Sequence, residues 1–103
     1  MKYRIDRVEV PRYPVLKVTF DDGLSGEFDL SDLLAEGPLY APLQDPAVFR
    51  TVTVAEGGRR FGWLLGEEGR EIDFCPDTAR IAVETKLVED MATAHRARRS
   101  AAE

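Results

Sequence analysis

The stretch from Val15 to Leu30 constrains this chain most. Leu16, Val18 and Phe20 alternate with Lys17 and Thr19, and after Asp22-Gly23 the alternation resumes, with Leu24, Gly26, Phe28 and Leu30 opposite Ser25, Glu27 and Asp29. A period of two puts successive side chains on opposite faces of a strand, and Asp-Gly supplies a turn at which φ can become positive. Two antiparallel strands, Val15–Phe20 and Leu24–Leu30, are therefore expected to form one ribbon with an apolar face. A hairpin with one apolar face is not stable alone, so the rest of the chain has to cover it.

The flanking segments offer the cover. Tyr3 to Val10 alternates through Ile5, Val8 and Val10 and predicts a strand ended by Pro11. Asp32 to Glu36 can hold one or two helical turns, with Asp29 or Ser31 as the cap and Gly37-Pro38 as the stop. Pro46 suits the first position of a short helix capped by Asp45 that turns Val48 and Phe49 inward. A second hairpin is expected from Arg50–Val54, a Gly-Gly turn over Glu56–Arg60, and Phe61–Leu65; a short strand Glu71–Phe74 then ends at Pro76. These strands predict one mostly antiparallel sheet of five or six strands in an α+β fold.

From Asp77 or Thr78 onward the chain has no glycine or proline. Ile81, Val83, Leu87, Val88 and Met91 form a broad apolar stripe, which predicts a C-terminal helix opened by an Asp77 cap and packed along that stripe. Its last part, Ala92–Glu103, lacks large apolar side chains and is expected to fray.

Composition narrows the function. The 103 residues suffice for one modest core, and nineteen acidic against fourteen basic side chains give a net charge of −5. That balance provides no overall field for wrapping a nucleic acid backbone. Residues 84–103 carry four basic and four acidic groups, while residues 1–83 carry ten and fifteen, so the charge resides in the body and the only basic cluster is the HRARR run of the tail. One cysteine excludes an internal disulfide and a multi-cysteine metal cluster, and a reduced, cytoplasmic setting follows. The opening MKYRIDRVEV has no apolar run of a secretion signal, and no span of eighteen apolar residues occurs.

Three stretches, VEVPRYPVLKVTFDDGLSGEFDLSDLL, GPLYAPLQDPAVFRTVTV and GREIDFCPDTAR, together resemble a family of small bacterial domains of unknown function, the one numbered 2442. The resemblance spans roughly residues 3 to 80. It implies a family-like α+β domain over 1–80 and a helical extension over 81–103. It is similar, too, to the N-terminal domain of a protein in which a helix-turn-helix domain follows, a part for which this chain is too short. The resemblance further implies partnership with a neighbouring small protein in suspected toxin and antitoxin pairs. At the closing PDT the sequence departs from the family pattern, with Ala79-Arg80 in place of aliphatic and aromatic residues.

Side chains that could carry chemistry are few. His95, the one histidine, sits in the alanine-arginine tail, where nothing fixes its geometry for proton transfer; a solvated helix-end residue is the simpler account. Cys75, without an adjacent Lys, Arg or His, is expected to be a buried or half-buried space filler. Asp22, Asp29, Asp45 and Asp77 are explained as turn and cap residues, and no segment spaces its oxygens as a calcium loop does. Gly57-Gly58 followed by Arg59-Arg60 is too short to cradle a phosphate and marks a hairpin tip with two surface arginines. Trp63 alternates with Phe61 and Leu65, which assigns it to the core rather than to a base-stacking platform.

No catalytic, cofactor-binding or metal-binding residue is assigned, and no cofactor is expected. The leading expectation is a protein-binding module, the antitoxin-like or partner subunit of a two-gene pair, with Glu71, Asp73, Leu87 and Met91 as the candidate partner surface, its partner a small protein or a second copy joined through the C-terminal helix. The first alternative is a DNA-binding autoregulator using Arg96, Arg98 and Arg99; the second is an enzyme with a carboxylate site between the hairpins.

Overall fold

The computed structural model describes the backbone of residues 3–102 and the side chains of residues 3–98. The fold is α+β: two antiparallel three-stranded sheets, short helices between them, and one long C-terminal helix. The first sheet runs β1 (Ile5–Arg12), β2 (Val15–Phe20), β3 (Ser25–Asp29), with β2 central. The second runs β4 (Thr53–Ala55), β5 (Arg60–Trp63), β6 (Ile72–Phe74), with β5 central. The described residues thus form six strands, but not in the single sheet that alternation suggested. Periodicity within a strand says which face is apolar and nothing about which strands pair across a long connection.

The β2–β3 hairpin forms as anticipated, with Leu16 opposite Phe28 and Val18 opposite Gly26, and Gly23 turns with φ +93°. Asp22 Oδ1 accepts from the Leu24 N–H at 3.1 Å and holds the turn. The first strand does not stop at Pro11 but continues to Arg12. Its ladder is irregular between Glu9 and Arg12, so a residue without an N–H sits in a bulge on an edge strand, where no ladder bond is required of it.

Between the sheets lie α1 (Ser31–Ala35), an unanticipated 3₁₀ segment Pro38–Gln44, and α2 (Pro46–Phe49). Asp29 Oδ1 accepts from both the Ser31 N–H at 2.8 Å and the Ser31 hydroxyl, so it secures the entrance to α1 from one position before the helix cap, Leu30. Asp45 caps α2 as its sequence suggests, accepting from the Ala47 N–H at 2.9 Å. Tyr13 donates its hydroxyl to the Leu43 carbonyl at 2.8 Å, and Gln44 donates to the Leu34 carbonyl at 2.9 Å, which ties the 3₁₀ segment to the first sheet and to α1.

The core is one cluster shared by both sheets: Leu16, Val18, Phe20 and Phe28 from the first, Phe61, Trp63 and Ile72 from the second, closed by Leu30, Leu34, Leu43, Phe49, Ala79 and Val83. Edge-to-face contacts of Phe28 with Phe61 and Phe74 join the sheets. Trp63 is fully buried and donates its indole N–H to the Phe49 carbonyl at 2.7 Å, so the ring fills the core and its one polar atom is satisfied by α2.

The last helix, α3, runs Pro76–Ala102. It begins two or three residues earlier than a cap at Asp77 or Thr78 would place it, because proline suits the first helical position, and Asp77 falls inside the first turn. Its helical backbone runs through the alanine-arginine stretch to Ala102; alanine and arginine are among the strongest helix formers. The molecule is elongated, 58 × 29 × 19 Å, with a radius of gyration of 15.7 Å against about 13 Å for a compact domain of this length. Among the described residues no helix is long and apolar enough to cross a membrane.

Candidate interaction surface

The helix α3 carries two apolar tracks instead of one broad stripe. Ala79 and Val83 are fully buried against β3, where Gly26 leaves the space: a Cβ on Gly26 would lie 2.6 Å from Val83 Cγ1. Ile81, Val88 and Met91 lie on another face, 66%, 64% and 70% exposed, while Leu87, 39% exposed, borders the groove formed with Gly26, Lys86 and Asp90. At 3.6 residues per turn Ile81 and Val83 point in nearly opposite directions, so one stripe cannot hold both. The docked track ends at Val83, and every described residue from Glu84 to Arg98 is exposed.

A single arginine fixes the docked end. Arg80 places Nη1 at 2.9 and 3.1 Å from the Asp22 carboxylate, Nε at 2.7 Å from Glu84 Oε1, and its guanidinium 4.4 Å from the Tyr3 ring centroid and 5.0 Å from that of Phe20. With its side chain only 12% exposed, it bolts α3 to the β2–β3 turn. The Leu24 N–H and the Arg80 guanidinium hold the Asp22 carboxyl below its ordinary range. Ala79-Arg80 is therefore the point of attachment for the helix in this chain: a small residue in the core, then a cation over two rings.

The acidic pair Glu71 and Asp73 already has a basic partner inside the molecule. Arg60 of β5 reaches Glu71 Oε2 at 3.2 Å, Asp73 Oδ2 at 3.3 Å and Glu56 Oε1 at 3.4 Å. Glu71 also accepts from the Gly66 N–H at 2.7 Å, and with Arg60 this lowers its pKa. Arg60 is thus an internal clamp, and only Arg59 of the two turn arginines is a free surface group. Elsewhere Arg12 makes a bidentate pair with Glu27 at 2.8 and 2.9 Å, and the Glu27 carboxyl is lowered in consequence. Asp29 is lowered by the hydroxyl and N–H of Ser31. Among the described residues no group of three His, Cys, Asp or Glu side chains could hold a metal ion.

Cys75 corrects another expectation. It is exposed, not a core filler, and stands directly before Pro76 at the start of α3, with Sγ 3.3 Å from Thr78 Oγ1. Hydrogen bonds from the Thr78 side chain and backbone pull the thiol pKa down. The sequence signal was the order Cys-Pro-Asp-Thr, which places the cysteine at a helix N-terminus where orphan N–H groups favour a thiolate without any neighbouring cation.

Of the expected partner surface, Leu87 and Met91 share the outer part of α3, whereas Glu71 and Asp73 belong to the Arg60 cluster on β6. The structure does not bring the two pairs into one patch: Met91 lies fifteen residues beyond the start of α3, about 22 Å along its axis. Ile81 and Val88 complete the exposed track; helical angles drawn from the sequence separate them from Val83. Arg96 and Arg98 are exposed near the end of α3, where Arg96 contacts Thr93 Oγ1 at 3.4 Å; the Arg99 side chain is outside the described residues. His95 is exposed and lines a shallow depression with Val88, Met91, Ala92, Ala94 and Arg98.

A family model described as a protein of unknown function, DUF2442, matches residues 6–78. The chain belongs to the DUF2442 family. No curated protein and no solved structure gives a significant match. The DUF2442 match takes in both sheets, α1 and α2 and ends at Thr78, in the first turn of α3. The exposed face of α3 therefore lies beyond the part of this DUF2442 chain that the family describes.

Proposed function

We propose that this DUF2442 protein is a protein-binding module whose working surface is the exposed track of α3. One observation carries the reading: Ile81, Val88 and Met91, all more than half exposed, lie along one face of a helix whose fully buried side chains, Pro76, Ala79 and Val83, all belong to its first eight residues. A surface helix normally turns its apolar residues inward, and a helical stretch without tertiary packing is marginal in water, so a partner on this face supplies what the fold lacks. Specific binding, with no bond chemistry, is the product. The arginine pairing of Glu27, Glu71 and Asp73 supports that reading over a carboxylate enzyme. Family resemblance suggests the product of the adjacent gene as the first partner to try, in the manner of an antitoxin-like subunit.

Co-expression with that product, followed by size-exclusion chromatography with light scattering, tests the proposal. Co-elution of the two chains that is lost in Met91→Glu supports it. A chain that shows no co-elution and no self-association overturns it, and binding to the protein's own upstream DNA, falling steeply with salt and lost in Arg96→Ala/Arg98→Ala, would assign the tail to autoregulation instead.

A further inference from the structure

Resting on the reading of α3 as a binding face, we infer that its occupant is a second copy of this chain, with the two α3 helices antiparallel and centred between Val88 and Met91. Ile81, Glu84, Val88, Met91, His95 and Arg98 follow one another in alternating steps of three and four. That is the spacing of a two-helix seam, and it coincides with the exposed track. The depression on this face includes Val88, Met91, Ala92 and His95, which stand at i, i+3, i+4 and i+7. Four residues so spaced form the hole that accepts one side chain from a facing helix, and Ala92 keeps the hole open.

Charge along the seam selects both the partner and the direction. The acids Asp77 and Glu84 lie toward the docked end, and His95 and Arg98 toward the free end. Among the described residues His95 and Arg98 have no ion-pair partner, whereas Glu84 shares Arg80, which is already turned toward Asp22. A parallel pair would set Arg98 against Arg98 and Glu84 against Glu84. In the antiparallel pair, Val88 packs on Met91 of the second copy, His95 lies opposite Glu84 of the second copy, and Arg98 lays its stem on Ile81 with its head toward Asp77 and Glu84. Each copy thereby offers the other both halves of a complementary surface, as a two-fold axis requires. The two domains sit at opposite ends of the helix pair, clear of one another.

The test uses the full chain and its single cysteine. Cys75 is exposed immediately before α3, so a spin label there reads helix direction. For an antiparallel pair centred between Val88 and Met91 the two labels stand about 40–50 Å apart, and for a parallel pair about 10–20 Å. Sedimentation across a concentration series, with pulsed dipolar spectroscopy on the labelled dimer, is expected to show a monomer–dimer equilibrium and the long distance. Val88→Glu should raise the dissociation constant at least about tenfold by burying an unpaired carboxylate, although glutamate is the better helix former. Arg98→Ala should weaken the dimer, whereas it would strengthen a parallel one. A short distance, a dimer unaffected by Val88→Glu, or a monomer at several hundred micromolar overturns the inference. The last result leaves the binding-module reading to be decided by co-elution with the adjacent gene's product.

Discussion

The contact between Gly26 and Val83 decides whether α3 is part of the fold, and Gly26→Ala tests it. The new Cβ would stand 2.6 Å from Val83 Cγ1, about 1 Å inside the distance at which two carbons rest comfortably. Val83 is fully buried on a helix, where a β-branched side chain has one strongly preferred rotamer, so the clash cannot be relieved by a turn about χ1. Either α3 moves away from β3 or the sheet bends, and overpacking of this kind costs about 1–3 kcal/mol. At about 4–8 °C per kcal/mol for a domain of this size, the melting temperature should fall by roughly 5–20 °C. Val83→Ala alone removes two buried methyl groups and should cost about 2 kcal/mol, transfer and cavity together. In Gly26→Ala/Val83→Ala the added methyl occupies the vacated space, so the double variant should be no worse than Val83→Ala, a coupling of about 1–3 kcal/mol. Urea unfolding followed through Trp63, the single tryptophan, together with helical ellipticity, measures all four corners of the cycle. A Gly26→Ala protein as stable as the parent, or strictly additive effects, would refute the docking geometry.

Three more outcomes follow from the same contacts. Trp63→Phe should cost about 1–3 kcal/mol by leaving the Phe49 carbonyl buried without its donor, and Trp63→Ala about 3–5 kcal/mol, both read from denaturation midpoints by circular dichroism. Cys75 should alkylate with an apparent pKa below the ordinary cysteine value, and Thr78→Val should raise that pKa and slow labelling at neutral pH; identical pH profiles would remove the helix-start account of the thiol. Asp22, Glu27, Asp29 and Glu71 all have folded pKa values below their unfolded ones, so their contribution is present above the ordinary carboxylate range near pH 4 and is lost as pH falls through the lowered values. The unfolding midpoint should therefore stay level from pH 7 to about 5 and drop below about 4, with a shallower acid limb in Asp22→Asn.

How much of this was legible in the sequence depends on how local each cause is. The β2–β3 hairpin, the Asp45 cap before Pro46 and the burial of Trp63 rest on short-range signals: period-two alternation, an Asp-Gly turn, a proline at the first helical position. The division into two sheets is not local, because it depends on where the Pro38–Gln44 segment carries the chain, and its two prolines and 3₁₀ run leave no period to read. For α3, apolar positions could be counted, but which of them faced the domain turned on Gly26, more than fifty residues away. The same holds for charges. Glu71 and Asp73 looked like an outward acidic face because Arg60, eleven and thirteen residues earlier, is brought to them only by the β5–β6 pairing.

The central claim is that α3 divides at Val83 into a segment held by the domain and a segment held by a partner. Amide hydrogen exchange along α3, measured on the full chain from low micromolar to near-millimolar concentration, addresses it directly. The account predicts that amides from Arg80 to Glu84 are protected at every concentration, while protection over Val88–His95 is weak in dilute solution, rises with concentration, and stays weak throughout in Val88→Glu. Equal protection along the whole helix, independent of concentration and of Val88→Glu, would contradict it.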